Sequence, residues 1–216
     1  MSHPSVDVSR DSLNISLRST KQIYGSSPRG TTTRRLRRYP GTLGTRCFSK
    51  PGLFYWELSV KFRKLRLIRR TVLFEIGLAR YDAIDKSFTN DRSPHAWVLS
   101  GSGCHLCGKV CLHGWHNGQM LSHTPFSDRL PSGIRMYSKL HYGCLLDTSK
   151  REWIIVDLRN KKVIAHFKNL LVSEVKEPLW PIFAIYNPEQ ANVSMEISYG
   201  SDISGISEEA LYALSI

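Results

Sequence analysis

The chain has 216 residues, of which 41% are hydrophobic and 10% aromatic, so it can build a folded core and is not disordered throughout. It contains no apolar run near the roughly 18 residues of a membrane-spanning helix, and its first residues do not have the pattern of a secretory signal. The odd number of cysteines, five, argues against a disulfide framework and predicts a cytoplasmic, intracellular protein. The formal net charge of +12 favours anionic partners but carries no information on the fold.

Short apolar runs separated by turn residues predict strands along much of the chain. These runs, rich in aromatic and β-branched residues, are 54–60, 73–79, 96–99, 142–147, 152–157 and 162–167. Polar stretches at 147–152 and 157–162 predict tight turns between the last three runs. Regular strands with short connections indicate an all-β domain of two antiparallel sheets. Helical periodicity is confined to the tail, where Ser207 is suited to cap a short helix over 208–214.

The five tryptophans divide into two groups. Trp56, Trp97, Trp153 and Trp180 fall within the predicted strands, and we expect them mostly in the core because aromatic side chains dominate sandwich interiors. Trp115 lies in a connection rich in glycine and histidine. We expect it to be exposed and to contact a partner.

Several blocks occur in an order that is known from one family. They are HPSVDVSRD at 3–11, YPGTLGT at 39–45, FSKPGLFYWEL at 48–58, FEIGLAR at 74–80, AWVL at 96–99, GCLLD at 143–147, WIIV at 153–156 and PLWPIF at 178–183. Together they resemble the B30.2 (PRY-SPRY) domain of tripartite-motif ubiquitin ligases and butyrophilins. The resemblance implies a bent β-sandwich over residues 1–200, PRY-like over about 1–48 and SPRY-like over about 49–200, followed by a tail at 201–216.

The resemblance also implies a function. Such a domain is a protein-interaction module, and in a tripartite-motif ligase it selects the substrate that another domain ubiquitinates. By resemblance, the residues that contact the partner are Glu75, Tyr81, Asp82, Ser100, Ser102, Trp115, Tyr186, Asn187 and Glu189. The sequence holds no P-loop or dinucleotide-binding fingerprint, so we expect neither a cofactor nor an enzymatic activity.

The segment from Cys104 to His116 combines a C-x-x-C pair with further cysteine and histidine residues. This composition is typical of zinc sites, and the ligands of such a site would be Cys104, Cys107, Cys111, His113 and His116. However, one short segment would have to supply every ligand, and Lys109 would share their face of a strand. We therefore favour ordinary hairpin residues without a metal, with zinc binding and redox sensing as the alternatives.

Two arginine-rich runs concentrate positive charge. Their basic residues are Arg34, Arg35, Arg37, Arg38, Arg63, Lys64, Arg66, Arg69 and Arg70. They are interpreted either as a solvated rim that protects a sheet edge or as a surface that binds RNA, acidic peptides or phosphorylated ligands. Anion binding is thus the alternative to protein recognition.

Overall fold

The predicted strands form two antiparallel sheets in a computed structural model of the protein. The residues that the structure describes are 6–10, 14–19, 36–64, 72–104, 110–125, 136–170, 178–186, 191–199 and 208. Every strand pair among them is antiparallel, which confirms the expected all-β sandwich. Of the predicted tail helix only Glu208 is described, and it is helical.

One sheet has seven strands in the order β1-β2-β13-β4-β9-β10-β11. Its strands are β1 (Val6–Arg10), β2 (Asn14–Ser19), β4 (Leu53–Lys64), β9 (Met136–Asp147), β10 (Glu152–Asp157), β11 (Lys162–Phe167) and β13 (Ala191–Tyr199). The turns after β9 and β10 hold Arg151 and Lys161 at positive φ angles of 59° and 51°. Both turns therefore lie where the polar stretches predicted them.

The other sheet has six strands in the order β3-β12-β5-β6-β7-β8. Its strands are β3 (Gly41–Leu43), β5 (Val72–Arg80), β6 (Ala96–Gly103), β7 (Val110–His116), β8 (Gln119–Pro125) and β12 (Leu179–Ile185). A single turn of 3-10 helix, Tyr81–Ala83, follows β5. Within the described ranges, no helix has the length and hydrophobicity to cross a membrane.

The main core contains apolar side chains from both sheets. Trp56 and Trp153 of the seven-stranded sheet stack with ring centroids 6.4 Å apart, and Trp97 of the six-stranded sheet is buried in the same cluster. These three tryptophans confirm the prediction of core positions. Trp180 is instead half-buried and lies 6.0 Å from the Tyr81 ring, at the margin of the sheet.

A second apolar cluster covers part of the outer face of the six-stranded sheet, the face turned away from the main core. Tyr39, Ile84 and Tyr186 pack there against Ala79 and Val98 of the sheet. The segment that carries Tyr39 is held by the Asp85 carboxylate, which accepts the backbone N–H groups of residues 37–39 at 2.8–3.1 Å. Beyond this cluster, the connection between β5 and β6 continues to Thr89, Asp91 and Arg92, which line a pocket on the same face of the sheet.

Candidate functional site

An open pocket of about 520 Å³ lies on the outer face of the six-stranded sheet. Strands β5 to β8 contribute its floor, and the connection between β5 and β6 contributes one rim. We call it the outer-face pocket. Its lining residues are Val72, Glu75, Thr89, Asp91, Arg92, Ser100, Ser102, Gly103, Cys104, His113, Trp115, Met120 and His123.

The floor contains a row of polar residues at one level of the sheet. Glu75 pairs with Ser100, Ser100 with His113, and His113 with His123. Side chains alternate between the two faces of a strand, so directly paired residues share a face. The apolar neighbours Phe74, on β5, and Leu112, on β7, belong to the main core. The sandwich thus buries one set of side chains between its sheets and presents this polar row on its outer face.

Trp115 forms the aromatic part of this pocket. Its indole Nε1 donates a hydrogen bond to the Ser100 hydroxyl at 3.1 Å, and its ring is partly buried against the second apolar cluster. The sequence placed Trp115 in an exposed connection, and this placement was wrong. The residue lies on β7, where pairing with Val98 fixes its direction.

Glu75 is a fully buried carboxyl group at the base of the pocket. Burial raises its pKa to about 8, while the Tyr186 hydroxyl and the Asn90 backbone N–H, which donate to the ionised form of the carboxyl group, act in the opposite direction. Among the described residues, Oε1 of Glu75 has no hydrogen-bond partner. An ionised carboxylate with one unsatisfied oxygen is costly in the interior, so the carboxyl group is mainly neutral at pH 7.

The contacts of Tyr186 are consistent with this protonation state. Its hydroxyl oxygen lies 2.8 Å from Glu75 Oε2 and 2.9 Å from the Phe88 carbonyl oxygen. One hydroxyl proton cannot make two full hydrogen bonds to acceptors. If Glu75 keeps its proton, the carboxylic acid donates to Tyr186 and Tyr186 donates to the Phe88 carbonyl, so both contacts are satisfied.

The pocket rim formed by the connection between β5 and β6 is hydrogen-bonded to the turn between β7 and β8. The Asp91 carbonyl accepts the Gly118 N–H at 2.9 Å, and the Ser93 carbonyl accepts the Asn117 N–H at 3.2 Å. The Thr89 hydroxyl donates to the Asp91 carboxylate at 2.6 Å. Two separate connections are thereby joined beside the pocket, which holds the rim in a defined position.

The structure brings together part of the partner-binding set predicted from the sequence. Glu75, Ser100, Ser102 and Trp115 line the pocket. Tyr81 and Asp82 are exposed on the 3-10 turn and do not line it. Asn187 and Glu189 lie outside the described residues.

Tyr186 is buried and does not line the pocket, and its hydroxyl lies against Glu75. Glu75 is also buried, but it lines the pocket at its base. The sequence reasoning also missed Thr89, Asp91, Arg92, Met120 and His123, which line the pocket.

The cysteine- and histidine-rich segment is only partly assembled as the sequence suggested. Cys104 and His113 come together, and the third residue of the group is His123 on β8 rather than a neighbour in the segment. His116 lies on the opposite face of β7 and stacks on Trp97 with ring centroids 4.7 Å apart. Cys111 is buried and outside the group, and Cys107 lies outside the described residues.

Few of the predicted anion-binding residues have described side chains. Arg37 and Arg38 are exposed beside Asp85, and Arg38 also donates to the Lys86 carbonyl at 2.8 Å. Arg63 and Lys64 end strand β4. The remaining members, Arg34, Arg35, Arg66, Arg69 and Arg70, lie outside the described residues.

Comparisons with known proteins support the fold. No protein-family model and no curated protein sequence matches the chain. Among solved structures, stonustoxin aligns with a TM-score of 0.55 and 16% identity, over 90% of this chain and 27% of that one. A lectin from Bauhinia forficata in complex with GalNAc aligns with a TM-score of 0.53 and 7% identity, over 91% of both chains.

The likeness is one of fold. The SPRY domain of human HERC1 also aligns, with a TM-score of 0.41 and 12% identity over 91% of this chain and 89% of that one. Identities this low do not transfer a ligand or an activity, because one fold serves many functions. The function therefore has to be argued from the pocket itself.

Proposed function

We propose that this chain is a recognition module that binds a segment of a partner protein in the outer-face pocket and catalyses no reaction itself. The observation that carries the proposal is the pocket of about 520 Å³ with a polar floor and an aromatic wall. This volume lies within the range of ligand sites, which combine apolar surface with a few convergent polar groups.

The chemistry of the lining suits a peptide. The serine and histidine side chains of the floor offer donors and acceptors, while Asp91 and Arg92 bring one charge of each sign to the rim. Apolar side chains are exposed close by, since Met120 is 48% and Leu121 53% accessible on β8. Aromatic and methionine side chains at the centre of a contact, with polar groups around it, are characteristic of protein interfaces.

We assign the module to the B30.2 (PRY-SPRY) type on the sequence blocks. The blocks at 48–58, 74–80, 96–99, 143–147 and 178–183 contribute to β4, β5, β6, β9 and β12, in the order that the family resemblance requires. In a ubiquitin ligase of the tripartite-motif type, the module would select the substrate and a separate domain would transfer ubiquitin. Such a role requires an intracellular location.

Variants of exposed pocket residues test the proposal without disturbing the core. Peptides are first selected from a displayed library by binding to the wild-type domain. The affinity of the selected peptides is then compared between the wild type and the variants Met120→Ala and Arg92→Ala. The matched controls are Val163→Ala, an exposed apolar residue of β11, and Arg159→Ala, an exposed basic residue of the turn before β11. We expect the pocket variants to weaken binding about tenfold or more, as contact residues do, and the controls to bind like the wild type. Equal binding by all four variants would exclude the pocket as the site.

A second candidate is the binding of RNA or another anionic ligand, which is favoured by the net charge of +12. Arg37 and Arg38, both exposed, belong to the first arginine-rich run. Binding of this kind depends steeply on salt, because neutralised phosphates release their counterions. Peptide recognition in a mixed polar and apolar pocket does not require such dependence, so salt titration separates the two functions.

A further inference from the structure

Three side chains with metal-ligating atoms meet at one side of the outer-face pocket. Donor atoms of Cys104, His113 and His123 lie within 4.8 Å of one another. The Cys104 Sγ is 3.7 Å from the His123 Nε2, and the two imidazole rings have centroids 5.1 Å apart. We propose that Cys104, His113 and His123 form a zinc-binding site.

The fold places these residues together although they are distant in sequence. His113 and His123 are directly paired across β7 and β8, and Cys104 directly follows the end of β6. Cys104 and His113 are buried, whereas His123 is exposed. Cys104 and His113 are therefore held by the packing around them, whereas the exposed side chain of His123 has room to adjust its rotamer.

The distances agree with tetrahedral coordination. Zinc–sulfur and zinc–nitrogen bonds of about 2.3 and 2.0 Å place a sulfur and a nitrogen ligand about 3.5 Å apart. The 3.7 Å between Cys104 Sγ and His123 Nε2 is close to this value. Because the donor atoms of the group lie up to 4.8 Å apart, tetrahedral coordination requires them to close by up to roughly 1.5 Å, which calls for small rotations of the ligand side chains.

The surroundings of His113 resemble those of a metal ligand. Its Nδ1 lies 3.1 Å from the Ser102 hydroxyl, so a bound metal would be coordinated through Nε2. Metal-ligating histidines commonly use their second ring nitrogen in this way, and the contact fixes the ring orientation. A thiolate with two imidazoles suits zinc better than magnesium or calcium, which prefer oxygen ligands.

Coordination has a defined proton balance. The Cys104 thiol forms the sulfur–zinc bond as a thiolate, and its proton passes to solvent, so binding becomes tighter as the pH rises. The charged and titratable groups that share the pocket are Glu75, Asp91 and Arg92. Three protein ligands leave one tetrahedral position for water or for a donor atom of a bound peptide. Zinc binding does not require the peptide, so the proposed zinc site does not depend on the proposed recognition function.

Metal titration of the full chain, purified without a polyhistidine tag and treated with a chelator, tests the site. With Zn(II) we expect one tight equivalent by calorimetry. With Co(II) as the spectroscopic probe, we expect the thiolate-to-cobalt charge-transfer band of a cysteine-ligated ion. The affinity should rise up to about tenfold per pH unit while the free thiol is protonated.

Variants connect the signal to these residues. Cys104→Ser should abolish the charge-transfer band, and His123→Ala should weaken binding at least about 100-fold, because even outer-shell changes cost 10- to 100-fold. His123 is exposed, so its variant should fold even if a change at buried Cys104 does not. The matched control is His166→Ala, a histidine of β11 in the other sheet that lies 3.2 Å from Glu152. Absence of a tight equivalent in the wild type, or full binding by His123→Ala, overturns the proposal.

Discussion

Replacement of Glu75 by Gln tests whether the buried carboxyl group at the base of the pocket is neutral. In the folded chain its pKa is raised by burial to about 8, compared with an ordinary value of 4.5. Below pH 4.5 the folded and unfolded chains both hold the proton. Above it the unfolded chain releases the proton while the folded chain retains it. This group therefore reduces the free energy of unfolding as the pH rises towards 8.

The size of the effect follows from the two pKa values. Each pH unit between them costs about 1.4 kcal/mol. Over the whole interval from 4.5 to about 8 the loss approaches 5 kcal/mol, and at pH 7 it is about 3 kcal/mol. Glutamine has nearly the same shape and cannot ionise. We expect Glu75→Gln to match the wild type near pH 4.5 and to exceed its stability by several kcal/mol at pH 8.

Urea unfolding followed by tryptophan fluorescence at several pH values measures the difference. Histidine titrations are common to both proteins and cancel when the two curves are subtracted. Glu196→Gln is the control, because its exposed carboxylate lies 3.3 Å from Lys61 in the other sheet, and its curve should follow the wild type. Parallel curves for Glu75→Gln and the wild type would refute a neutral buried carboxyl group.

Three further predictions concern the segment that carries Tyr39, the packing of the six-stranded sheet and the positive charge. Asp85→Ala removes the carboxylate that accepts three backbone N–H groups and should cost about 2 kcal/mol by urea unfolding, whereas Asp82→Ala, at an exposed ion pair, should change stability by less than about 0.5 kcal/mol. Gly41→Ala would drive a methyl group into the Phe183 carbonyl oxygen, so we expect a loss of about 2 kcal/mol or more by urea unfolding. Gly118→Ala, in open space at φ 74°, should lose about 1 kcal/mol. If the chain binds RNA, the affinity measured by mobility shift should fall at least tenfold between roughly 50 and 200 mM salt, because phosphate contacts release counterions. Binding that does not depend on salt would contradict this function.

The sequence predicted the sandwich because its signals are local. Aromatic and β-branched runs, punctuated by short polar turns, determine the strands wherever packing agrees with propensity. The turns at Arg151 and Lys161 lie where expected, and Trp56 and Trp153 lie in the core. Each of these features depends on residues within one hairpin or on the alternation of buried and outward-facing side chains along one strand.

The pocket was only partly predictable, because it depends on how distant strands are paired. One local signal does indicate part of it. Asn117-Gly118 is typical of a type I′ hairpin turn, and both residues have positive φ, at 49° and 74°. A hairpin centred there moves Trp115 from a connection into a strand, but it would pair His113 with Ser122. The irregularity between Gly114 and Trp115 shifts the register by one residue and brings His113 opposite His123, and no local pattern indicates that shift. Nor does a local pattern indicate that Glu75 is buried, since that depends on the connections folded over the sheet.

The polar residues of the pocket floor, Glu75, Ser100, His113 and His123, lie at one level of four adjoining strands. This arrangement limits how the length of those strands can change. Inserting or deleting a single residue in such a strand reverses the direction of every side chain beyond that point, because the pleat has a period of two. Ligand preference can therefore diversify by exchange of side chains on the floor, but length changes are tolerated only in connections such as 81–95. A library intended to retarget this scaffold should vary the length of that connection and keep the four strands at their present lengths.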